Sequence, residues 1–546
     1  MRLYFSQKIH KKPLMKIRGE RRFTGLSAAL FCWGFFLILL RYVWPYEGMA
    51  AGEVTSGTAA YAWIHQIPNM LTVPHIAIFG RTVPAMLGYH QGPWDIYLLT
   101  PFIALGGCTL ATIRCYSAVM FFFALWGTWR LAFLVSGDKR TAFFSALLLA
   151  VCPTMATLRS QYISAPDVTA CVWALCFALS FARARRPAYA YAACAAFFLG
   201  LCTRSWVAGL GVGLLLYTAL MWRHVLGLLP ESRAAKARLI GGCLACAGIF
   251  LLPILACNMA NGWPTILSLI HHTVVRDPSK CWQSCSNLAY WKNLGIDIDL
   301  LKSFCDGGLG VLAREPWHWL YAAPLLLSLA QAVLDARRRR TLWSSRAALW
   351  IIVAGYFLIA PISPTEQVAN QLAPMAPILA VLMFSWINAV PKGAPRAAAL
   401  AAAALLCAAQ FAGDFWLLRR KNIDVSATGW YGASPLVIEA ARWAGRRPRT
   451  PIISLSFPFT AAAIYYSQNQ ARLVRWPELS ATYHIPWKQW LLRKDRPYFM
   501  TENDILGAGH AAALKTNAAK LGLVLARVKA FRDSAGHPAF EVYQVR

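Results

Sequence analysis

Four ionisable groups stand where apolar runs give way to polar turns, and their types suit chemistry on a lipid-borne group. Glu47 lies in Trp44-Pro45-Tyr46-Glu47-Gly48, just past the first apolar run, and Glu53 follows it. Asp167 comes directly after Pro166 at the head of another apolar run, and Arg204 separates two more. A carboxylate at such a boundary can accept a proton from an incoming hydroxyl nucleophile. A guanidinium offers a planar fork of donors that matches a phosphate. Each has a plain alternative: Glu47 as a juxtamembrane helix cap, Asp167 as an N-cap, Arg204 as a side chain snorkelling to headgroups. His65, His75 and His90, with His271 and His272 later, are candidates for proton transfer or metal binding, yet none has ligand spacing. No Walker loop, G-x-G-x-x-G, H-E-x-x-H or G-x-S-x-G occurs, so nucleotide-driven transport, zinc proteolysis and serine hydrolysis lack a motif.

The stretch from Trp44 to Arg114 carries the first of these groups. It is too punctuated by Pro and Gly to cross a bilayer in one piece, and too apolar to float in water. Short amphipathic helices at the membrane surface are expected there.

The elements that must hold these residues are membrane spans. The chain has 546 residues, 58% of them hydrophobic and 14% charged, and a mean hydropathy of +0.44. Repeated apolar runs of about 20 residues imply helices, because lipid forces every backbone polar group to be satisfied internally. The formal charge of +31 does not point to nucleic acid. The basic residues gather in short clusters between apolar runs, as in cytoplasmic loops.

About eleven spans follow: 23–44, 114–135, 141–158, 168–182, 188–203, 206–222, 239–257, 318–334, 347–363, 372–390 and 397–418. The clusters at residues 1–22, Lys139-Arg140, Arg183 to Arg186, Arg223 to Arg238, Arg337 to Arg346, and Lys392 with Arg396 then fall on one side. The short turns opposite hold only Arg159 and Arg204. That asymmetry places a basic 1–22 N-terminus in the cytoplasm, as an uncleaved anchor, and outer loops at 45–113 and 258–317. Arg419, Arg420 and Lys421 fall on the outer side, which a long translocated segment tolerates.

Residues 419–546 change in composition. Runs at 451–455, 496–500 and 540–545 are expected as strands, and 434–445 and 508–521 as helices, giving a small extracytoplasmic α/β domain. Most cysteines (Cys32, Cys152, Cys171, Cys194, Cys243) read as small hydrophobes. Cys281, Cys285 and Cys305 lie in the polar loop 258–317, where two of them are candidates to pair.

The order of these features resembles the GT-C superfamily of membrane glycosyltransferases, in particular the protein-O-mannosyltransferase-like group that includes bacterial aminoarabinose transferases. The resemblance runs through Pro45-Tyr46-Glu47-Gly48, then Tyr89-His90-Gln91-Gly92-Pro93 with the apolar segment to Gly107, then Arg114. It continues with Arg159 and Asp167, Gly200-Leu201-Cys202-Thr203-Arg204, and Gln367 to Pro377. The family often has Asp-Glu in place of Tyr46-Glu47, Lys-Pro-Pro in place of Gln91-Gly92-Pro93, and Lys in place of Arg204.

The resemblance implies transfer of a sugar from a polyprenyl-phosphate carrier to a lipid, glycan or protein acceptor at the outer face of a bacterial inner membrane, with inversion. It implies Glu47 and Asp167 as catalytic carboxylates, with Arg204, Glu53, His90 and Arg159 toward substrate. No cofactor is certain, and a divalent cation is a candidate. Two rivals remain. A secondary transporter would need midplane charges and an internal repeat. A lipid-diphosphate-dependent polymerase or ligase would place its basic residues, such as Arg276 and Lys280, in 258–317.

Overall fold

The computed structural model describes residues 18–43, 51–66, 75–86, 92–151, 165–204, 207–260, 263, 318–339, 344–359, 373–420, 435–454, 473–474, 487–502, 507–532, 536 and 538–546. Helices dominate. In chain order they are α1 (Arg18–Val43), α2 (Ala51–Ile64), α3 (Trp94–Gly106), α4 (Leu110–Ser136), α5 (Lys139–Ala150), α6 (Ala165–Ala184), α7 (Pro187–Thr203), α8 (Ala208–Leu220), α9 (Trp222–Leu226) and α10 (Arg233–Ala260). Next come α11 (His318–Arg339), α12 (Ser345–Ile359), α13 (Ala376–Ser385) and α14 (Ala394–Arg420). Every apolar run expected as a span overlaps one of these helices. Four described helices, Leu110–Ser136, Pro166–Ala184, Arg233–Ala260 and Ala394–Gly413, are long and apolar enough to cross a membrane; six others are apolar but shorter.

The helix ends follow local chemistry. Thr109 caps α4 by accepting the Thr112 N–H, and Asp138 caps α5 by accepting from Thr141. Gly137, with φ +72°, turns the chain sharply between them. At the centre of the bundle every residue of α13 is buried, as expected of a helix that is apolar all round. Helices α5, α11, α4 and α12 pack directly on it, and the same apolar cluster takes in Phe36 and Leu40 of α1, Phe121 and Leu125 of α4, and Val172 and Leu175 of α6. Where α8 crosses α12, the backbones nearly touch. A Cβ on Gly213 would lie 2.4 Å from the Ile352 carbonyl oxygen, and one on Gly355 2.5 Å from the Gly213 Cα. Small residues are what let membrane helices approach so closely.

The stretch 44–114 is not built of amphipathic helices alone. Between α2 and α3 stands a two-stranded antiparallel hairpin, β1 (His75–Ile78) and β2 (Arg81–Pro84). Its two-residue turn is Phe79-Gly80, both at positive φ (49° and 74°). Two positive φ values match the right-handed twist of the strands, but Phe is an unusual residue to hold one.

The C-terminal residues form a five-stranded mixed sheet in the order β4-β3-β5-β7-β6. Its strands are β3 (Ile452–Ser454), β4 (Leu473–Val474), β5 (Tyr498–Glu502), β6 (Leu525–Arg532) and β7 (Pro538–Val545). The pairs β3–β4 and β3–β5 are parallel; β5–β7 and β6–β7 are antiparallel. Helix α15 (Pro435–Gly445) packs Ala440, Ala441 and Ala444 against Phe531, Phe540 and Val542. Helix α17 (Gly507–Lys520) packs Leu514 and Ala518 against Phe499 and Tyr543, beside Trp490 and Leu491 of the short α16 (Trp487–Leu491). The strands expected at 451–455, 496–500 and 540–545 and the two helices are all present. Strands β4 and β6 were not expected.

Helix α15 also faces the membrane helices. Ile438 joins an apolar cluster with Ala59, Ala60, Ile96, Leu99, Ile113 and Tyr116.

Candidate functional site

The last of those residues leads into a buried polar cluster. Asp95 stands in the first turn of α3, immediately after Pro93-Trp94, and is 9% exposed. A carboxylate there lies at the positive end of the helix dipole. Both of its oxygens are taken: the Ser56 hydroxyl on α2 donates to Oδ2 at 2.8 Å, and the Tyr116 hydroxyl on α4 donates to Oδ1 at 3.0 Å. Three elements that the sequence separates widely are thereby tied to one side chain. Ser56 is buried too, so the bonds are made away from water, where they hold best.

Asp167 lies beside this cluster in the first turn of α6 and is fully buried. Its Oδ1 accepts the N–H of Val168 at 2.8 Å, which accounts for one orphan donor of the helix start. Its Oδ2 is buried with no hydrogen-bond partner among the described residues. A plain cap does not need such burial. Removing a carboxylate oxygen from water without a partner is costly, so this oxygen is the one in the cluster with capacity for a further bond among the described residues.

Arg204 follows the last residue of α7, with its N–H on the Gly200 carbonyl at 2.9 Å, and is 4% exposed. A cation at a helix C-terminus is favoured by the dipole. The charges of Arg204 and Asp95 both act on Asp167, and all three act on Tyr116. So α3, α4, α6 and the end of α7 bring two carboxylates, a phenol and a guanidinium into one electrostatic neighbourhood.

The start of α3 is held against the same region. A Cβ on Gly92 would lie 2.5 Å from the Cys202 carbonyl oxygen, two residues before Arg204. Only a residue without a side chain lets the first loop come this near. The Trp94 indole then donates to the Phe250 carbonyl of α10 at 2.9 Å.

Of the site residues expected from sequence, Asp167 and Arg204 come together. Glu53 is placed on α2, one turn before Ser56. Glu47, His90 and Arg159 lie outside the described residues, as do Cys281, Cys285, Cys305, His271, His272, Arg276 and Lys280. His65 packs on Tyr61, ring centroids 4.3 Å apart. Cys32 and Cys171 are buried free thiols in the helical core, as small hydrophobes should be. Asp95, Ser56 and Tyr116 were not expected to be site residues. Nothing in their spacing links them; burial of all three is visible only in the fold.

Among the described residues no three His, Cys, Asp or Glu side chains converge as a metal set. Asp95 has both oxygens engaged, which leaves the single Asp167 oxygen to a cation.

Residues 90–247 match the family described as dolichyl-phosphate-mannose-protein mannosyltransferase. Comparison with curated proteins gives no match. Among solved structures, ArnT from Cupriavidus metallidurans bound to undecaprenyl phosphate superposes with a TM-score of 0.59 at 14% identity, over 96% of this chain and 98% of that one. The archaeal oligosaccharyltransferase AglB from Archaeoglobus fulgidus, in complex with an inhibitory peptide and a dolichol-phosphate, gives 0.52 at 12% identity, over 96% and 74%. At such identities the likeness is one of fold.

Proposed function

We propose that this chain, which has the GT-C glycosyltransferase fold, moves a sugar from a polyprenyl-phosphate carrier to an acceptor hydroxyl. The observation that carries the reading is Asp167: a buried carboxylate oxygen with no partner among the described residues, within electrostatic reach of buried Arg204. The two come from helix ends that only the fold brings together. A polar, water-poor pocket of this kind suits a phosphate leaving group whose tail stays in lipid.

In the reaction the acceptor oxygen attacks the anomeric carbon, its proton passes to the Glu47 carboxylate, and the carbon–oxygen bond to the carrier breaks. The electron pair leaves with the polyprenyl phosphate. Arg204 stabilises the negative charge that grows on that phosphate, an electrostatic effect that is strong where water is scarce. Asp167 takes a donor hydroxyl through its open oxygen, or a divalent cation together with residues outside those described. One displacement inverts the anomeric centre. Asp95 acts through others: by fixing Ser56 and Tyr116 it sets how α2, which carries Glu53, sits over α4. Glu53, His90 and Arg159 complete the substrate contacts.

The basic residues 1–22 lie in the cytoplasm. About eleven spans follow, and residues 419–546 stand as an extracytoplasmic domain outside a bacterial inner membrane. The charge asymmetry of the loops supports this orientation. The polar residues sit at helix ends rather than at a midplane, which disfavours a transporter.

The reading is tested by giving purified chain a panel of polyprenyl-phosphate sugars and measuring carrier phosphate released, for wild type and Glu47→Gln. Turnover with at least one donor, lost in a folded Glu47→Gln protein, is the expected result. Unchanged turnover in that variant removes Glu47 from the mechanism, and no turnover with any donor removes the reaction.

A further inference from the structure

The β1–β2 hairpin carries two oddities at one residue. Phe79 is the first residue of its turn, at φ +49°, where Gly, Asn or Asp would sit without strain. It is also fully exposed, at 102%, with Ile78 beside it at 42%. Neither the turn nor the protein's own packing accounts for a bulky aromatic there. A side chain kept in a strained backbone conformation and fully exposed among the described residues is held for what it meets outside.

What lies next to it identifies that partner. The base of the hairpin packs on α10: Ile76, Ala85 and Met86 cluster with Ile254 and Cys257. Ile254 is six residues from the end of α10 at Ala260, so this contact lies about 9 Å inside the helix end at 1.5 Å per residue. The rest of α10 is a lipid-facing helix. Leu244 (66%), Leu252 (64%) and Met259 (72%) are exposed along it, and little of its apolar length is buried. The hairpin is thus fastened to a bare apolar span at the depth of a bilayer interface. Arg81, directly behind the tip, is exposed, the residue type that meets lipid phosphates.

We propose that the hairpin is a membrane anchor: Phe79 and Ile78 enter the acyl–headgroup boundary of the leaflet around the Ala260 end of α10, and Arg81 binds phospholipid phosphate. The anchor is tied to the polar cluster. The Thr82 N–H donates to Gln66 Oε1 at 2.9 Å just past α2, and the Tyr97 hydroxyl of α3 donates to the Pro84 carbonyl at 2.5 Å. The tip therefore holds flush with the bilayer the two helices that carry Ser56 and Asp95. This holds whichever reaction the site performs.

The test places the photo-crosslinking amino acid p-benzoylphenylalanine at position 79 of the full chain, in nanodiscs of phosphatidylethanolamine and phosphatidylglycerol with a labelled tracer of each. Position 252 on the bare face of α10 serves as the lipid-facing standard, and Val528, exposed on the sheet, as the background. Crosslinking to phospholipid at position 79 is expected within about threefold of position 252 and about tenfold above position 528, as for an interfacial aromatic. A yield at 79 no higher than at 528 overturns the anchor. So does labelling at 79 confined to a second copy of the chain, or to undecaprenyl phosphate added with its own label. As a second variant, Arg81→Glu is expected to lower the phosphatidylglycerol yield at position 79 severalfold; an unchanged yield removes Arg81 from the contact.

Discussion

Helix α4 has a buried polar cluster near each end, and the two differ in how completely their atoms are satisfied. Near its start Tyr116 meets Asp95 and Ser56 beside Asp167 and Arg204. At its end the Ser136 carbonyl accepts from Asn388, which accepts in turn from Arg346. Tyr116 and Ser136 are about 30 Å apart along the helix, close to the hydrocarbon thickness of a bilayer. In the second cluster Arg346, buried at 6%, places all three nitrogens: on Asp335 at 2.7 Å, on the Ser385 hydroxyl and carbonyl at 3.1 and 2.7 Å, and on Asn388 at 3.0 Å. The Ser385 hydroxyl also contacts that of Ser328, which accepts from the Trp350 indole. This network joins α11, α12, α13 and the last residue of α4, and none of its buried side-chain polar atoms lacks a partner among the described residues. The first cluster keeps an open carboxylate oxygen. Both are buried, charged and made of residues distant in sequence, so burial alone does not separate a brace from a site. These two clusters differ in the completeness of their hydrogen bonding.

The contrast can be broken by substitution. The largest expected effect is Asp167→Asn: loss of turnover of about 10²-fold, as when a contact that positions the substrate is lost, with thermal stability little changed because the amide oxygen can still accept the Val168 N–H. Retained activity in a folded variant would make Asp167 a helix-start residue only. Next is Arg346→Met. Stranding Asp335 and the Ser385 and Asn388 oxygens should destabilise by about 3–5 kcal/mol, read as a lower melting temperature in detergent, while turnover per folded molecule stays the same. A turnover defect without a stability loss would reverse the assignment of the two clusters.

Asp95→Asn tests the border between them. It keeps the shape but confronts Ser56 and Tyr116 with an amide, so about 1–3 kcal/mol of stability should go. If Asp95 positions the site, kcat falls by roughly tenfold while donor KM moves little, as when a positioning contact is loosened; a pure brace would leave kcat alone. Smallest is a pH effect at the Ser136 end. Partial burial pushes the Asp138 carboxyl up, but the bonds from the Thr141 N–H and hydroxyl and the nearby Arg396 outweigh it and hold the group below its ordinary value. A depressed carboxyl stabilises the fold above its unfolded pKa and loses that contribution as pH falls through the folded value. Melting of Asp138→Asn should therefore match wild type only at acid pH, below the usual carboxylate range.

The apolar helices were legible because hydropathy is a sum over many residues, and no single substitution hides a run such as 239–257. Asp167 and Arg204 stood out because the short turns opposite the basic clusters hold few ionisable residues. Asp95 lies within the stretch Trp44 to Arg114, yet its place in the sequence announces no role. An acidic residue in the first turn of a helix is ordinary, and its partners lie 39 and 21 positions away with no periodicity to announce them. The β1–β2 hairpin escaped for a local reason: its strands have four residues each, and Phe79-Gly80 is not the Asn-Gly pair that signals such a turn. Strand β6 escaped because Arg527 and Lys529 interrupt its apolar pattern at an exposed sheet edge, where charge discourages further pairing.

Ile438 belongs to the C-terminal segment, yet it is a buried member of the apolar cluster of α2, α3 and α4. A chain cut after Arg420 would take that side chain away from Ala59, Ala60, Ile96 and Leu99, the last two on the same helix as Asp95. The final part of the chain thereby contributes to packing on which the first loop depends.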